Sequence, residues 1–189
     1  MKQTLIIAIR FTLITTLLLG ILYPLAITAF AHLVFPNKAD GQLISRNGQL
    51  IGSRIIGQSF AADRYFHGRP SAAGNGYDAT SSGGSNLAPS SQKLLTRIQA
   101  DAAKYQQEAN GQTVPIDLVT ASGSGLDPDI TPAAALFQVR HIAQIRGLDE
   151  SVVRNLVMAH IQPRQFGILG EPRVNVLELN LALDALQQH

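Results

Sequence analysis

Two serine- and glycine-rich stretches carry the residue types best suited to chemistry. One runs Thr120-Ala121-Ser122-Gly123-Ser124-Gly125, and the other Ser81-Ser82-Gly83-Gly84-Ser85-Asn86. Ser122, Gly123, Ser124 and Gly125 follow an apolar run (Ile116, Leu118, Val119) and precede Thr131-Pro132, the signature of a capped helix start. Strand, glycine turn and helix N-terminus in that order bind anions, because free backbone N–H groups and the helix dipole point the same way. The chemistry expected is capture of a nucleotide. Gln138 on the following helix would serve as an amide partner, and Phe137 would stack on the base or belong to the core. Gly123 and Gly125 are both expected to need positive φ or close backbone approach.

The missing motifs narrow this. No G-x-x-x-x-G-K-[ST] occurs, so the turn has no lysine to reach a phosphate and no hydroxyl in the magnesium position. No G-x-S-x-G elbow occurs either. Ser90-Ser91-Gln92-Lys93 fits S-x-x-K but lacks its companions S-D-N and K-T-G, so Ser90 reads as a helix cap. A serine-dependent enzyme would have to use Ser122 or Ser90 with His67 or His160 and a carboxylate. His32, His67, His141, His160 and His189 show no metal spacing, and there is no cysteine, which excludes thiolate sites and disulfides.

The elements that must position these residues follow from patterning. Of 189 residues only 15% are charged, and the net charge is +2. Mean hydropathy is +0.11, and no basic stripe suggests nucleic acid. Residues 1–10 form a basic tail and residues 11–35 an uncharged apolar run. That run exceeds a signal peptide's h-region despite the Ala29-Phe30-Ala31 cleavage-like pattern, and it spans a ~30 Å hydrocarbon core as a transmembrane helix. Lys2 and Arg10 nearly balance Lys38, Arg46 and Arg54 across it, and long C-terminal parts translocate regardless of charge, so N-in, C-out is expected. Ala8, Thr12, Thr16 and Gly20 recur every fourth residue as a small-residue face for a partner helix, and Tyr23-Pro24 predicts a kink.

Residues 36–41 read as a linker and 42–189 as one soluble domain. Gln42–Arg46 and Gln49–Ile56 flank Asn47-Gly48, a hairpin signal. A long loop reaches Pro89. Helices then run from Ser90 to about Ala109 (Leu94, Ile98, Ala102 and Tyr105 on one face), from Pro132 to Arg146, from Asp149 to His160, and from Asn175 to Gln188. Strands early and helices late make the fold class α+β: a single N-terminal transmembrane helix followed by one soluble α+β domain.

The order of four blocks is also familiar. Tyr23-Pro24 in the membrane helix is followed by Phe66-His67-Gly68-Arg69-Pro70-Ser71-Ala72 and Ser82-Gly83-Gly84-Ser85-Asn86-Leu87. Asp117 to Asp127 (D-L-V-T-A-S-G-S-G-L-D) and Arg173 to Asp184 (R-V-N-V-L-E-L-N-L-A-L-D) come next. Together, over essentially the whole chain, they resemble the KdpC family of the bacterial potassium-transporting P-type ATPase. The resemblance implies an accessory subunit in the inner membrane, partnered by a channel-like potassium-binding subunit, an ATP-hydrolysing P-type subunit and a small stabilising subunit. It implies help in assembly and a raised ATP affinity of the hydrolysing subunit. The chain has no Asp-Lys-Thr-Gly, the phosphorylated motif of such ATPases, so it should not hydrolyse ATP alone.

Two mechanisms remain open for the central stretch. In one, Ser122, Gly123, Ser124, Gly125 and Gln138 bind ATP, aided by Ser82-Gly83-Gly84-Ser85, which resembles the serine–glycine signature of ABC transporters. In the other, Arg69, Ser82, Gly83, Gly84, Ser85 and Asn86 form a docking loop on the channel-like subunit, both loops are structural, and Asp127-Pro128-Asp129 is a turn or lies near a cation path. N-in, C-out topology favours the second, because both loops then face away from cytoplasmic ATP.

Overall fold

The computed structural model describes residues 1–46, 48–109 and 111–187. Two units make up the chain, Met1–Ile51 and Gly52–His189. The first is dominated by α1 (Lys2–Val34), 33 residues with a mean hydropathy of 2.4 in its most apolar window. None of that window is buried within the chain, and a helix that is apolar all round and uncovered is long enough, at about 50 Å, to cross a membrane. Between Thr16 and Leu22 it widens to π geometry. Tyr23 N–H bonds the carbonyl of Leu18, five residues back, just before Pro24, which has no N–H to offer Gly20. The interruption at Tyr23-Pro24 is therefore a shifted hydrogen-bond register within one continuous helix.

Pro36–Ala39 adds one helical turn. Strands β1 (Leu43–Arg46) and β2 (Gln49–Ser53) then pair. Asn47 of the predicted turn lies outside the described residues, and Gly48 has φ +77°, which a type I′ turn requires. The second strand stops short of Ile56 because Ser53 turns the chain, accepting Ile56 N–H on its carbonyl at 3.4 Å and Ile55 N–H on its hydroxyl at 3.4 Å.

The second unit contains α2 (Gln92–Glu108), α3 (Pro132–Arg146), α4 (Glu150–Ala159) and α5 (Val176–Leu186). With them is a three-stranded antiparallel sheet in the order β3-β5-β4, formed by β3 (Asp129–Ile130), β4 (Ile161–Gln162) and β5 (Arg173–Asn175). Ile130 pairs with Val174, which pairs on its other side with Ile161. This corrects the early-strand, late-helix order. Strands of two or three residues are too short to show alternation, and pairing with a distant segment creates them.

Local signals set the helix ends. Thr131 Oγ1 accepts from Ala134 N–H at 3.3 Å, and Gly147 closes α3 at φ +63°. Asp149 caps α4 through Ser151 N–H at 2.7 Å, and Asn175 caps α5 through Glu178 N–H at 3.1 Å. The cap of α2 is Ser91, one residue beyond Ser90, and its side chain makes no cap bond. The core consists of Phe66, Leu118, Val139, Ile142, Val153, Val157, Val174, Leu179 and Leu183, all essentially solvent-free.

The apolar run before the glycine turn is not a strand. Ile116–Leu118 forms a single 3-10 turn. Asp117 and Leu118, adjacent in sequence, are both buried, which a half-buried strand with alternating faces cannot achieve. The Asp117 carboxylate accepts the N–H of Thr131 at 2.7 Å, tying this turn to the start of α3.

Candidate functional site

The site is built on an irregular segment, residues 60–78, that no regular element pairs with. Two buried side-chain amides take the place of a neighbouring strand. Asn180 on α5 accepts Phe66 N–H at 2.8 Å and donates to Phe66 C=O at 3.0 Å. Gln138 on α3 accepts His67 N–H at 2.8 Å and donates to His67 C=O at 3.2 Å and Ala134 C=O at 3.2 Å. Two consecutive residues thus satisfy both backbone groups inside the protein, where an unmet group costs ~1–3 kcal/mol. The clamp seats the Phe66 ring in the core.

Beyond the clamp, three stretches close on one another. Ser124 C=O accepts from Gly83 N–H at 2.8 Å and from Ser82 Oγ at 3.0 Å. Gly125 C=O accepts from Ser71 Oγ at 2.6 Å, while the same Oγ accepts from Tyr77 N–H at 2.7 Å and Ala73 N–H at 3.2 Å. One hydroxyl thereby uses its full capacity of one donor and two acceptor positions. Ser124 Oγ accepts from Leu126 N–H at 3.1 Å and lies 3.4 Å from Ser122 Oγ. Burial pushes the Tyr77 phenol above its ordinary value of 10.0, and its hydroxyl donates to Arg69 C=O.

The glycines serve this closure. Gly125 is buried with φ +67°, and a Cβ there would lie 2.6 Å from Ala73 N and 2.7 Å from Gly83 O. At Gly84 a Cβ would lie 3.1 Å from Gly123 O. Gly123 itself is exposed, outside the positive-φ region, with nothing within 4 Å of a Cβ. The expectation that both Gly123 and Gly125 are conformationally required is corrected: only Gly125 is.

Arg69 turns inward. Its guanidinium reaches Thr120 C=O at 3.2 Å, Thr120 Oγ1 at 3.3 Å and Asp127 at 3.4 Å. Asp127 also accepts from Asp129 N–H at 3.1 Å, and Asp129 pairs with Arg173 at 2.9 Å. Burial pushes the Asp129 carboxyl above its ordinary value. Beside this joint a hollow of about 210 Å³ is lined by His67, Arg69, Tyr77, Asp101, Lys104 and Tyr105, among others. It is smaller than the roughly 300–1,000 Å³ of cofactor-sized pockets.

A family model described as "K+-transporting ATPase, c chain" matches residues 5–185. The chain belongs to the KdpC family. It is 57% identical to the potassium-transporting ATPase KdpC subunit of Koribacter versatilis, over 99% of this chain and 97% of that one. It is 56% identical to the same subunit of Acidobacterium capsulatum (95% and 96% covered) and 51% identical to that of Methylobacterium nodulans (98% and 96% covered). Membership in KdpC, with α1, fits a single-pass membrane protein.

In this KdpC chain the residues expected to act together separate into groups. Gly123, Ser124 and Gly125 meet Ser82, Gly83 and Gly84, with Ser122 reaching only Ser124, whereas Gln138 is spent on the His67 clamp and among the described residues has no bond to the glycine turn. Ser85 is half-buried, and Asn86 is exposed at φ +52°. Neither Ser90 nor Ser122 bonds a histidine or carboxylate among the described residues. Thr12, Thr16 and Gly20 lie on α1, the last two within the π stretch. Sequence reasoning missed Ser71 and Asn180. Asn180 did leave a signal, since a lone amide inside the buried face Leu177–Leu183 must find partners.

Proposed function

We propose that this chain is the accessory, non-catalytic subunit of an ATP-driven potassium-uptake complex of the bacterial inner membrane. Its soluble domain is extracytoplasmic, N-in and C-out, and acts as a docking module that assists assembly. Its partners are a channel-like potassium-binding subunit, an ATP-hydrolysing P-type subunit and a small stabilising subunit. One observation carries the docking role for the serine–glycine loops. Their polar groups face each other, with Ser124 C=O, Gly125 C=O and Ser124 Oγ all satisfied within the domain. Loops used this way supply rigidity to a binding surface. Any rise in ATP affinity of the hydrolysing subunit then passes through coupling between subunits.

A second reading, direct ATP contact, is favoured by one feature. The exposed backbone at Gly123 is open, and the Ser122 and Ser124 hydroxyls border it. Two measurements separate the readings. Protease should cut the soluble domain in right-side-out vesicles and spare it in inverted ones. Ser122→Ala with Ser124→Ala should leave the KM for ATP of the purified complex unchanged. Cleavage confined to inverted vesicles, or a several-fold rise in that KM, overturns the docking reading in favour of nucleotide contact.

A further inference from the structure

The loop from Pro163 to Pro172 joins β4 to β5 and presents Phe166, Ile168 and Leu169 at 88%, 76% and 54% exposure. Yet it is tightly built. Gln165 and Leu169 exchange both backbone hydrogen bonds at 2.9 Å. Arg164 grips both carboxylate oxygens of Glu171, at 2.7 and 2.6 Å. Phe166 itself sits at φ +53°, a conformation that disfavours a bulky side chain. Within the chain this arrangement has no return, because a strained, exposed phenylalanine buries nothing. Asparagine or glycine would fit the turn with less strain and more solubility.

We propose that this loop is a preformed apolar knuckle that seats in an uncharged, apolar hollow on another subunit of the same membrane complex; the proposal rests on reading the chain as a subunit of that complex. A second copy of this chain is a poor seat, because the two larger hollows of its own domain, about 210 and 190 Å³, are lined by Asp101 and Lys104 and by Arg140, Glu150 and Arg154. Three such side chains expose roughly 400 Å², half of the ~800 Å² per partner that a stable free-standing interface needs. A knuckle of that size suffices once a membrane helix already holds the partners together at high effective concentration. Charge and hydrogen bonding argue against lipid. Arg164 and Glu171 neutralise each other, leaving no basic attraction to anionic headgroups. The N–H and C=O of Phe166 and the C=O of Gly167 have no partner among the described residues. Hydrocarbon would leave them unmet, whereas a protein hollow can supply partners. The clamped backbone also lowers the entropy lost on seating.

The test uses the full chain co-expressed with the rest of the complex. Phe166→Ser with Ile168→Ser should lower retention of the chain in the detergent-solubilised complex by about tenfold or more. The melting temperature of the purified full chain should stay within about 2 °C of wild type, because both positions are exposed. A photoreactive benzoylphenylalanine at position 166, irradiated in membranes, should form an adduct that maps by mass spectrometry to another subunit of the complex. Wild-type retention of the double variant overturns the proposal, as do adducts found only on lipid or on a second copy of this chain. If the wild-type chain itself fails to co-purify, the subunit reading falls first. If wild type and variant co-purify equally, only the knuckle falls.

Discussion

Replacing Gly125 with alanine tests whether the glycine turn is a joint. The residue sits at φ +67°, and its new Cβ would lie 2.6 Å from Ala73 N, 2.7 Å from Gly83 O and 2.9 Å from Ala73 Cβ. The left-handed backbone alone costs an L-residue ~1–2 kcal/mol. Two of the three contacts are with backbone, so the stretches must separate. That loosens the Gly83-to-Ser124 and Ser71-to-Gly125 hydrogen bonds, each worth ~1 kcal/mol net. Set against ~0.4–1 kcal/mol gained from a stiffer unfolded chain, the net loss is about 3 kcal/mol. For a domain of this size that lowers Tm by about 8–12 °C. Gly123→Ala is the matched control: open space and an ordinary φ make it neutral or slightly stabilising. The full chain would be melted in detergent and followed by near-ultraviolet circular dichroism of its tyrosines, because α1 stays helical in the micelle. Equal melting of Gly125→Ala and wild type would refute the joint, and so would a fall in Gly123→Ala as large as that in Gly125→Ala.

Three further outcomes are expected. Gln138→Leu removes the side-chain partner of the half-buried N–H and C=O of His67 and should cost about 1–3 kcal/mol. Hydrogen exchange at the His67 amide should accelerate, and unchanged protection there would show that the clamp is dispensable. Burial raises the Asp101 carboxyl above its ordinary 3.8, and its buried Oδ2 has no hydrogen-bond partner among the described residues. A raised folded-state value means that its contribution to stability is full below the unfolded value and is lost as pH rises through the folded one. Asp101→Asn should therefore gain on wild type as pH climbs from 3.8 upward, and a Tm difference that stays flat with pH would contradict this. Gly20→Leu adds bulk inside the π stretch of α1, where a Cβ meets only Thr16 Cγ2 at 3.7 Å. It should reduce the yield of purified complex if the Thr12, Thr16, Gly20 face packs on a partner helix, and an undiminished yield would remove that face.

What the sequence determined by itself is what local chemistry determines. The caps Thr131, Asp149 and Asn175 and the stop at Gly147 bond residues a few positions away, so their types and spacing declare them. The length and apolarity of α1 are likewise properties of one segment, and four blocks in order carried the family. The tertiary structure alone decided the rest. Strands β3, β4 and β5 exist only because Ile130, Val174 and Ile161 meet across the fold. Ile116–Val119 is apolar like a strand, but burial of Asp117 against Thr131 makes it a turn. In residue types and order the glycine stretch resembles a phosphate cradle, in which backbone N–H groups do the holding. What the fold adds is that the carbonyls of Ser124 and Gly125 are met by Ser71, Ser82 and Gly83, residues about forty to fifty positions away. Glycine permits either outcome, since it allows close approach by a ligand or by another stretch of the same chain, and no local pattern distinguishes the two. Here the approaching group is the chain itself, and Gly125 is where it comes nearest.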